Sequence, residues 1–437
     1  MSLPKEIDYV SSNTTTLPVN TSSKSNVIHP SNVSSLSTET GGSVIFDLPQ
    51  QDFLVPSSMY LRMKVKTTGT GNTSSLRMYQ RGIPAYSVWE KSIVSVQSQQ
   101  IENISNYGRT ATSLINLKMN PAQKAGLAVA FGLHNSADSE DMTIGTELHG
   151  RLSTSANADE YFVAVPLLNV LSLAEKLLPL GQMSQCRIEL EIANINKIFD
   201  NDTATKNADK LEIFNMELCY DSVNFGNDFD LMELADGNGD ILIKSQSHQV
   251  STQTCDAIAG LQTLSFPQRL SSVKSVIAWF EGKASSCIHQ EYDSVKVGGA
   301  GNTSFQFQIG NKYFPDVALD TARNRAGIFM ELNNAVNGTS HDILGGSMSI
   351  LPTEFAKDDN STTTNDNYGM FFVGVNTERM SGVNQVLLTG QSTALTPISL
   401  NVRCDTAPSQ ATTCNLLTMF DAIFQINVAS RSVSLKI

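Results

Sequence analysis

The sequence predicts an all-β protein built from two β-sandwiches in tandem. Three observations carry that reading. Short runs of alternating apolar and polar residues recur along the chain, separated by Gly, Pro, Asn and Asp turn signals. Charged residues make up 16% of the 437 positions, well below the roughly 25% usual for soluble domains. Ser, Thr, Asn and Gln fill the gap, which suits sheets with close-packed contact faces. Finally, two landmarks occur twice. Gln100-Ile101-Glu102-Asn103 is matched 208 residues later (100 to 308) by Gln308-Ile309-Gly310-Asn311. Phe162-Val163-Ala164-Val165 is matched 210 residues later (162 to 372) by Phe372-Val373-Gly374-Val375. Similar offsets predict a duplicated β-domain.

Residues 1–40 are low in complexity: 19 of the 30 residues from 11 to 40 are Ser, Thr or Asn. Such a segment buries little apolar area, so it is expected to be a flexible N-terminal arm. Its sequons at Asn13, Asn20 and Asn32 read as products of that composition. The first domain is expected over residues 41–235. Strands are predicted at 43–48 and at 59–66, where Met59, Leu61, Met63 and Val65 share one face. A strand pair or one long strand follows at 93–104, then a helix with an irregular excursion over 109–133, interrupted at Pro121. Residues 161–168 read as a strand, and 172–177 as a short helix with Ser172 as N-cap. Strands at 186–193 and 211–223 complete this half.

The turn-rich Ala235-Asp236-Gly237-Asn238-Gly239-Asp240 marks the boundary, and the second domain is expected over 236–437. Strands are predicted at 241–254, 273–280, 304–309, 368–375, 398–402 and within 416–437. A helix is predicted at 326–336, with Ile328, Phe329, Leu332 and Val336 on one face. Residues 357–367 read as a polar loop. Each half thus holds seven to nine strands and one helical excursion between its middle strands. That arrangement favours two tandem jelly-roll β-sandwiches with short helical insertions over an immunoglobulin-like pair.

Function classes are narrowed by what is missing. The net charge of −12 argues against a nucleic-acid grip, which needs clustered Lys and Arg. The arm agrees: Lys5 and Lys24 stand against Glu6, Asp8 and Glu39. Asp236, Asn238 and Asp240 match the first ligand positions of a calcium loop. Ile241 and Ser247 then stand where that loop needs Gly and Glu, so the segment reads as a linker. The glycine strings 69–74 and 297–304 lack the Gly-Lys-Ser/Thr ending of a phosphate cradle. The six histidines, 29, 134, 149, 248, 289 and 341, form no metal motif, and no nucleophile elbow occurs. Asp138, Glu140 and Asp141 read as a solvated loop. Cysteines 186, 219, 255, 287, 404 and 414 form no CxxC pair and read as reduced, buried thiols; a Cys404–Cys414 bridge is the alternative. No residue is singled out as catalytic, cofactor-binding or metal-ligating, and the chain is expected not to be an enzyme. The N-terminal residues contain no apolar signal core, which predicts cytoplasmic synthesis. The apolar stretch 162–180 is broken by Asn169, Glu175, Lys176 and Pro179 and does not read as a membrane span.

Four stretches carry a resemblance to a known family. They are Phe46-Asp47-Leu48-Pro49 with Met59-Tyr60-Leu61; Val165-Pro166-Leu167 through Leu178-Pro179-Leu180; Phe305-Gln306-Phe307-Gln308-Ile309-Gly310 with Tyr313-Phe314-Pro315; and Phe372 through Ser381-Gly382-Val383-Asn384. In order and spacing the chain resembles the double jelly-roll major capsid proteins of double-stranded DNA viruses, in particular the polinton-like virus, adintovirus and virophage group. The resemblance implies a pseudo-hexagonal, hexon-like homotrimer that tiles an icosahedral virion. It also implies neighbouring capsomers, penton proteins and minor or cement proteins as partners, with no cofactor and no sequence-specific nucleic-acid binding. The compact length implies short outer loops. A carbohydrate-binding β-sandwich protein is the alternative, but Trp89 and Trp279 both lie in apolar, strand-like contexts rather than in sugar-stacking loops.

Overall fold

The structure is a computed structural model describing residues 21–68, 77–78, 83–134, 149–150, 160–200, 210–225, 239–281, 302–337, 348, 350, 355, 370–378, 389–408 and 411–437. Eight principal strands build the first half: β1 (Ser22–Ile28), β2 (Ser43–Leu48), β3 (Tyr60–Thr68), β4 (Trp89–Val96), β5 (Gln99–Ser105), β6 (Glu160–Pro166), β7 (Cys186–Ile192) and β8 (Lys210–Asn224). Helix α1 (Tyr107–Lys118) follows β5. The second half repeats the set: β9 (Asp240–Cys255), β10 (Gly260–Phe266), β11 (Val273–Glu281), β12 (Thr303–Ile309), β13 (Lys312–Asp320), β14 (Phe372–Asn376), β15 (Ile398–Cys404) and β16 (Thr412–Asn427). Helix α2 (Arg325–Asn337) follows β13, and β17 (Ser432–Lys436) pairs with β16.

The pairing is the same in both halves. One sheet runs β1-β8-β3-β6 and its repeat β9-β16-β11-β14; the other runs β2-β7-β4-β5 and its repeat β10-β15-β12-β13. All these pairs are antiparallel. Counted within each half, strands 1-8-3-6 face strands 2-7-4-5. The molecule is two tandem jelly rolls, each with a helical insertion between its fifth and sixth strands.

Alternation places the core. Leu61, Met63 and Val65 of β3 and Ile188 and Leu190 of β7 are buried on inner faces, with Arg62 and Glu189 turned outward. In the second half Phe305 and Phe307 meet Leu400 and Val402 in the same way. The β4–β5 hairpin turns at Gln97 and Ser98, both with positive φ (53° and 64°), the backbone that a two-residue hairpin of this twist demands.

Several expectations need correction. Residues 22–28, expected to belong to a flexible arm, pair along the whole of β1 with β8, and Ser35–Ser37 also pairs with β8. The composition argument counts buried apolar area. An edge strand draws instead on backbone hydrogen bonds, reinforced by Ser25 to Asp221 (2.5 Å) and Asn26 to Ser222 (2.8 Å). The expected 172–177 helix is a turn. Asn169 accepts a hydrogen bond from the Ser172 amide (2.9 Å), and Ser172 Oγ accepts from the Asn169 amide (3.1 Å). Such side-chain bonds compete with helix formation. Pro121 does not interrupt a helix but opens one, Pro121–Gly126, capped by a reciprocal Asn120–Gln123 box. Strands β10 and β13 escaped the sequence reading; β13 carries Pro315 and a mostly exposed face, which hides its periodicity. The Gln-Ile-x-Asn landmark is not a structural repeat. Gln100 lies on the fifth strand of its roll, and Gln308 on the fourth of the other. The Phe-Val-x-Val landmark is one, leading the sixth strand of both rolls. The polar loop at 357–367, the glycine string 69–74 and Asp138, Glu140 and Asp141 lie outside the described residues. So do linker residues 235–238, and the string 297–304 is described only from Asn302.

Candidate functional site

The described histidines are scattered by the fold. His29 is exposed in the loop after β1, His248 is buried on β9, and His134 and His149 are backbone register partners in a two-residue antiparallel pairing. Among the described residues no group of three His, Cys, Asp or Glu is placed to hold a metal ion. Cys186, Cys219, Cys255, Cys404 and Cys414 are buried thiols, none in a disulfide; burial pushes the Cys186 thiol up to about 12. His289, His341 and Cys287 lie outside the described residues.

The organised polar chemistry is at the joint between the rolls. β9 and β16 are long enough to serve both cores. Ile243, Ala422, Phe424 and Ile426 pack into the first, while Leu416 and Leu417 pack into the second. Glu102 on β5 is fully enclosed there. Its Oε2 accepts from the Val170 amide (2.8 Å), and Ser247 Oγ of β9 donates to its Oε1. Ser245 Oγ donates to Val170 O (2.6 Å), and the Glu175 amide to Lys244 O (2.9 Å). Desolvation holds the Glu102 carboxyl at about 7, against 4.5 for an exposed glutamate, with the two hydrogen bonds opposing the rise. On the other face of β9, burial, with the Lys118 ammonium nearby, pushes the His248 imidazole down to about 3.

Helix α1 crosses the joint. Residues Tyr107 to Leu117 are all buried, because one side lies on the first roll and Leu114 and Leu117 enter the second core. Arg109 lies over the Trp279 ring (5.8 Å to the centroid) and 3.8 Å from Glu281 Oε1. Trp279 in turn stands edge-on to Phe372 (6.1 Å). A second enclosed cluster lies within roll two. Asp421 accepts from Ser272 Oγ (2.7 Å) and the Thr389 amide (3.0 Å), with Lys244 and Lys274 at 3.6 and 3.8 Å. These contacts fasten the 389–391 segment onto β11 and β16; their chemistry is structural.

The first roll's equivalent sheet face is open. Its rows read Phe162, Lys64, Phe214 and Ala164, Arg62, Glu217 across β6, β3 and β8. Arg62 and Glu217 are ion-paired. The molecule therefore offers a rigid two-roll unit and uncharged or charge-balanced side faces, an arrangement that can make repeated surface contacts. Sequence reading places Glu102 in a landmark run and Arg109 at a helix start, but misses the part both take in the joint. Both stand alone in their segments, and only the packing of the rolls brings Ser247 and Glu281 to them.

No protein-family model and no curated protein sequence matches the chain. Solved structures do. A chain of the PBCV-1 virus capsid matches with a TM-score of 0.57 at 10% identity, covering 95% of this chain and 96% of that one. The mavirus major capsid protein matches at 0.53 and 10%, covering 100% and 95%. The Faustovirus major capsid protein matches at 0.55 and 9%, covering 93% and 90%. At such identities the likeness concerns the backbone, and it extends over both rolls in each case: this chain has the double jelly-roll fold of these viral major capsid proteins.

Proposed function

We propose that this chain is a major capsid protein. Three copies form a pseudo-hexagonal capsomer of six jelly rolls, and such capsomers tile an icosahedral virion shell. The observation that carries the reading is the extent of the likeness: the backbone is similar to that of viral major capsid proteins over at least 93% of this chain, a span that takes in both rolls. Physical features support it. The two rolls share β9 and β16 and enclose Glu102 and Arg109 between them, so each chain is one stiff building unit. Low charge density suits contacts that are individually weak and collectively strong. We divide the chain at the 235–240 turn, with rolls over 41–235 and 236–437; the pairing of β1 extends the first roll back to Ser22. In this reading the residues preceding β1 act as an arm against neighbours. The partners in this reading are other copies, penton proteins at the fivefold vertices and minor or cement proteins. It assigns no catalytic step, no cofactor and no sequence-specific nucleic-acid contact.

Light scattering on the purified protein tests the reading, with negative-stain images of the same peak. The expected mass is about 142 kDa, three times 47.4 kDa, with hexagon-like particles. A stable 47.4 kDa monomer that never assembles would overturn it and direct attention to carbohydrate binding.

A further inference from the structure

The last turn of α1 ends over a buried polar row of the second roll. The helix runs beside β11: Arg109 lies over Trp279, and Leu114 and Leu117 enter the second core. From Arg109 to Lys118 the helix rises about 13–14 Å, and from Trp279 to Ser275 the strand covers about 13 Å. Lys118 therefore arrives above Ser275. Its ammonium acts on His248 and is itself acted on by that of Lys274.

His248, Met419, Ser275 and Asn376 are register partners in one row across β9, β16, β11 and β14. His248 and Ser275 are each 2% exposed. Neither imidazole nitrogen, nor Ser275 Oγ, nor Asn376 Nδ2 has a hydrogen-bond partner among the described residues. Buried polar atoms are nearly always paired, so these four mark a place for a further partner. Ser275 and Asn376 offer donors. Adjacent strands lie about 4.8 Å apart, so those two side chains reach one ligand together, while His248, two strands from Ser275, borders it.

The charges decide what kind of ligand fits. Asp421 has Lys244 at 3.6 Å and Lys274 at 3.8 Å, and Glu378 has Lys274 at 3.4 Å. Lys118 makes no ion pair among the described residues. Three ammoniums thus stand against two carboxylates, an excess that the partial charge of about half a unit at the α1 C-terminus only partly offsets. Lys118 is exposed, yet desolvation lowers its pKa and the Lys274 ammonium lowers it further. An ammonium that meets solvent and is still desolvated lines a recess. Water there would pair the row but leave the two ammoniums repelling each other, and a cation would add to the repulsion. An anion relieves it.

We propose that the recess under the C-terminal turn of α1 binds a small oxyanion of the inorganic phosphate or sulfate class. The Lys118 and Lys274 ammoniums hold it, the Ser275 hydroxyl and the Asn376 amide donate to it, and His248 borders it. The ligand joins α1 of the first roll to β11 and β14 of the second, so it fastens the joint between them. The site follows from the fold and does not depend on the capsomer reading.

The test is the melting temperature of the whole chain in inorganic phosphate, in sulfate and in chloride of equal ionic strength. At a tenfold excess over the dissociation constant, phosphate is expected to raise it by about 1–3 °C over chloride, with sulfate acting alike. Lys118→Met is expected to melt above the wild type in chloride, because its repulsion with Lys274 is gone, and to lose the phosphate increment. Ser275→Ala is expected to lose most of it. Lys312→Met, which removes an exposed lysine of β13, is expected to keep it in full. No phosphate increment in the wild type overturns the site, and so does an increment that Lys118→Met retains, which would be a general salt effect. Should Ser275→Ala unfold, Lys118→Met, at an exposed position, decides.

Discussion

Glu102 is a buried carboxyl at the joint of the two rolls, bonded to both. Its neighbours are Ser247 and the Val170 amide, and its carboxylate adds to the burial that raises the Tyr107 hydroxyl of α1. Because burial raises its carboxyl to about 7 from 4.5, the folded chain holds this proton more tightly than the unfolded one. Its contribution to stability is therefore fully present below pH 4.5 and is lost as pH rises through about 7. His248 works in the opposite sense. Its imidazole is lowered to about 3 from 6.5, so its contribution is present above 6.5 and is lost as pH falls toward 3. The two slopes oppose each other between 4.5 and 6.5. Glu102→Gln is expected to stabilise the protein at pH 8 by on the order of 2–3 kcal/mol and to expose the histidine slope below pH 6.5. Urea melts of both proteins across pH 4.5 to 8 check this; parallel curves would contradict it.

At the scale of elements, α2 is seated by one glycine. A Cβ on Gly374 would lie 3.0 Å from Leu332 Cδ1 and 3.1 Å from the Ala335 Cβ. The sheet approaches the helix as closely as it does because that side chain is missing. Gly374→Val is expected to push α2 off β14 and destabilise the second roll by about 1–3 kcal/mol. A denaturant melt reads the loss, and unchanged stability would mean the helix is not held by this contact. The strands themselves were readable where one face is buried and the other wet: β2 falls on the residues its alternation predicts, as do most of β3, β7 and β15. β13 was not, because its exposed residues carry no apolar signal, and the 172–177 turn was not, because Asn169 and Ser172 mimic a helix cap while closing a turn.

For the whole molecule, the arm separates into two pieces with different consequences. Removing residues 1–20 leaves β1 in place, so the melting temperature is expected to hold while shell assembly suffers. Removing residues 1–40 strips β1 from β8 and takes Leu36 out of the first core. That deletion is expected to cost roughly 2–3 kcal/mol from Leu36 burial alone and to lower the melting temperature by several degrees. Calorimetry on the two deletions distinguishes them; equal melting temperatures would show that β1 adds nothing to the roll.

The sequence by itself determined the class of the fold, its duplication and most of its strands. Alternating burial is a local property, and Met59, Leu61, Met63 and Val65 report it without help from distant residues. The Phe-Val-x-Val repeat was legible for the same reason. Only the tertiary structure decided what each copy meets. Phe162 and Phe372 stand in like local sequence, yet one is exposed and the other is buried, on a sheet face that α2 packs at Gly374 and Arg109 of α1 covers at Trp279. The joint was equally hidden. Glu102 and Ser247 are 145 positions apart, and a hydrogen bond across that distance has no periodicity to betray it. What depends on adjacent residues is written along the chain; what depends on which surfaces the chain folds together is settled by packing alone.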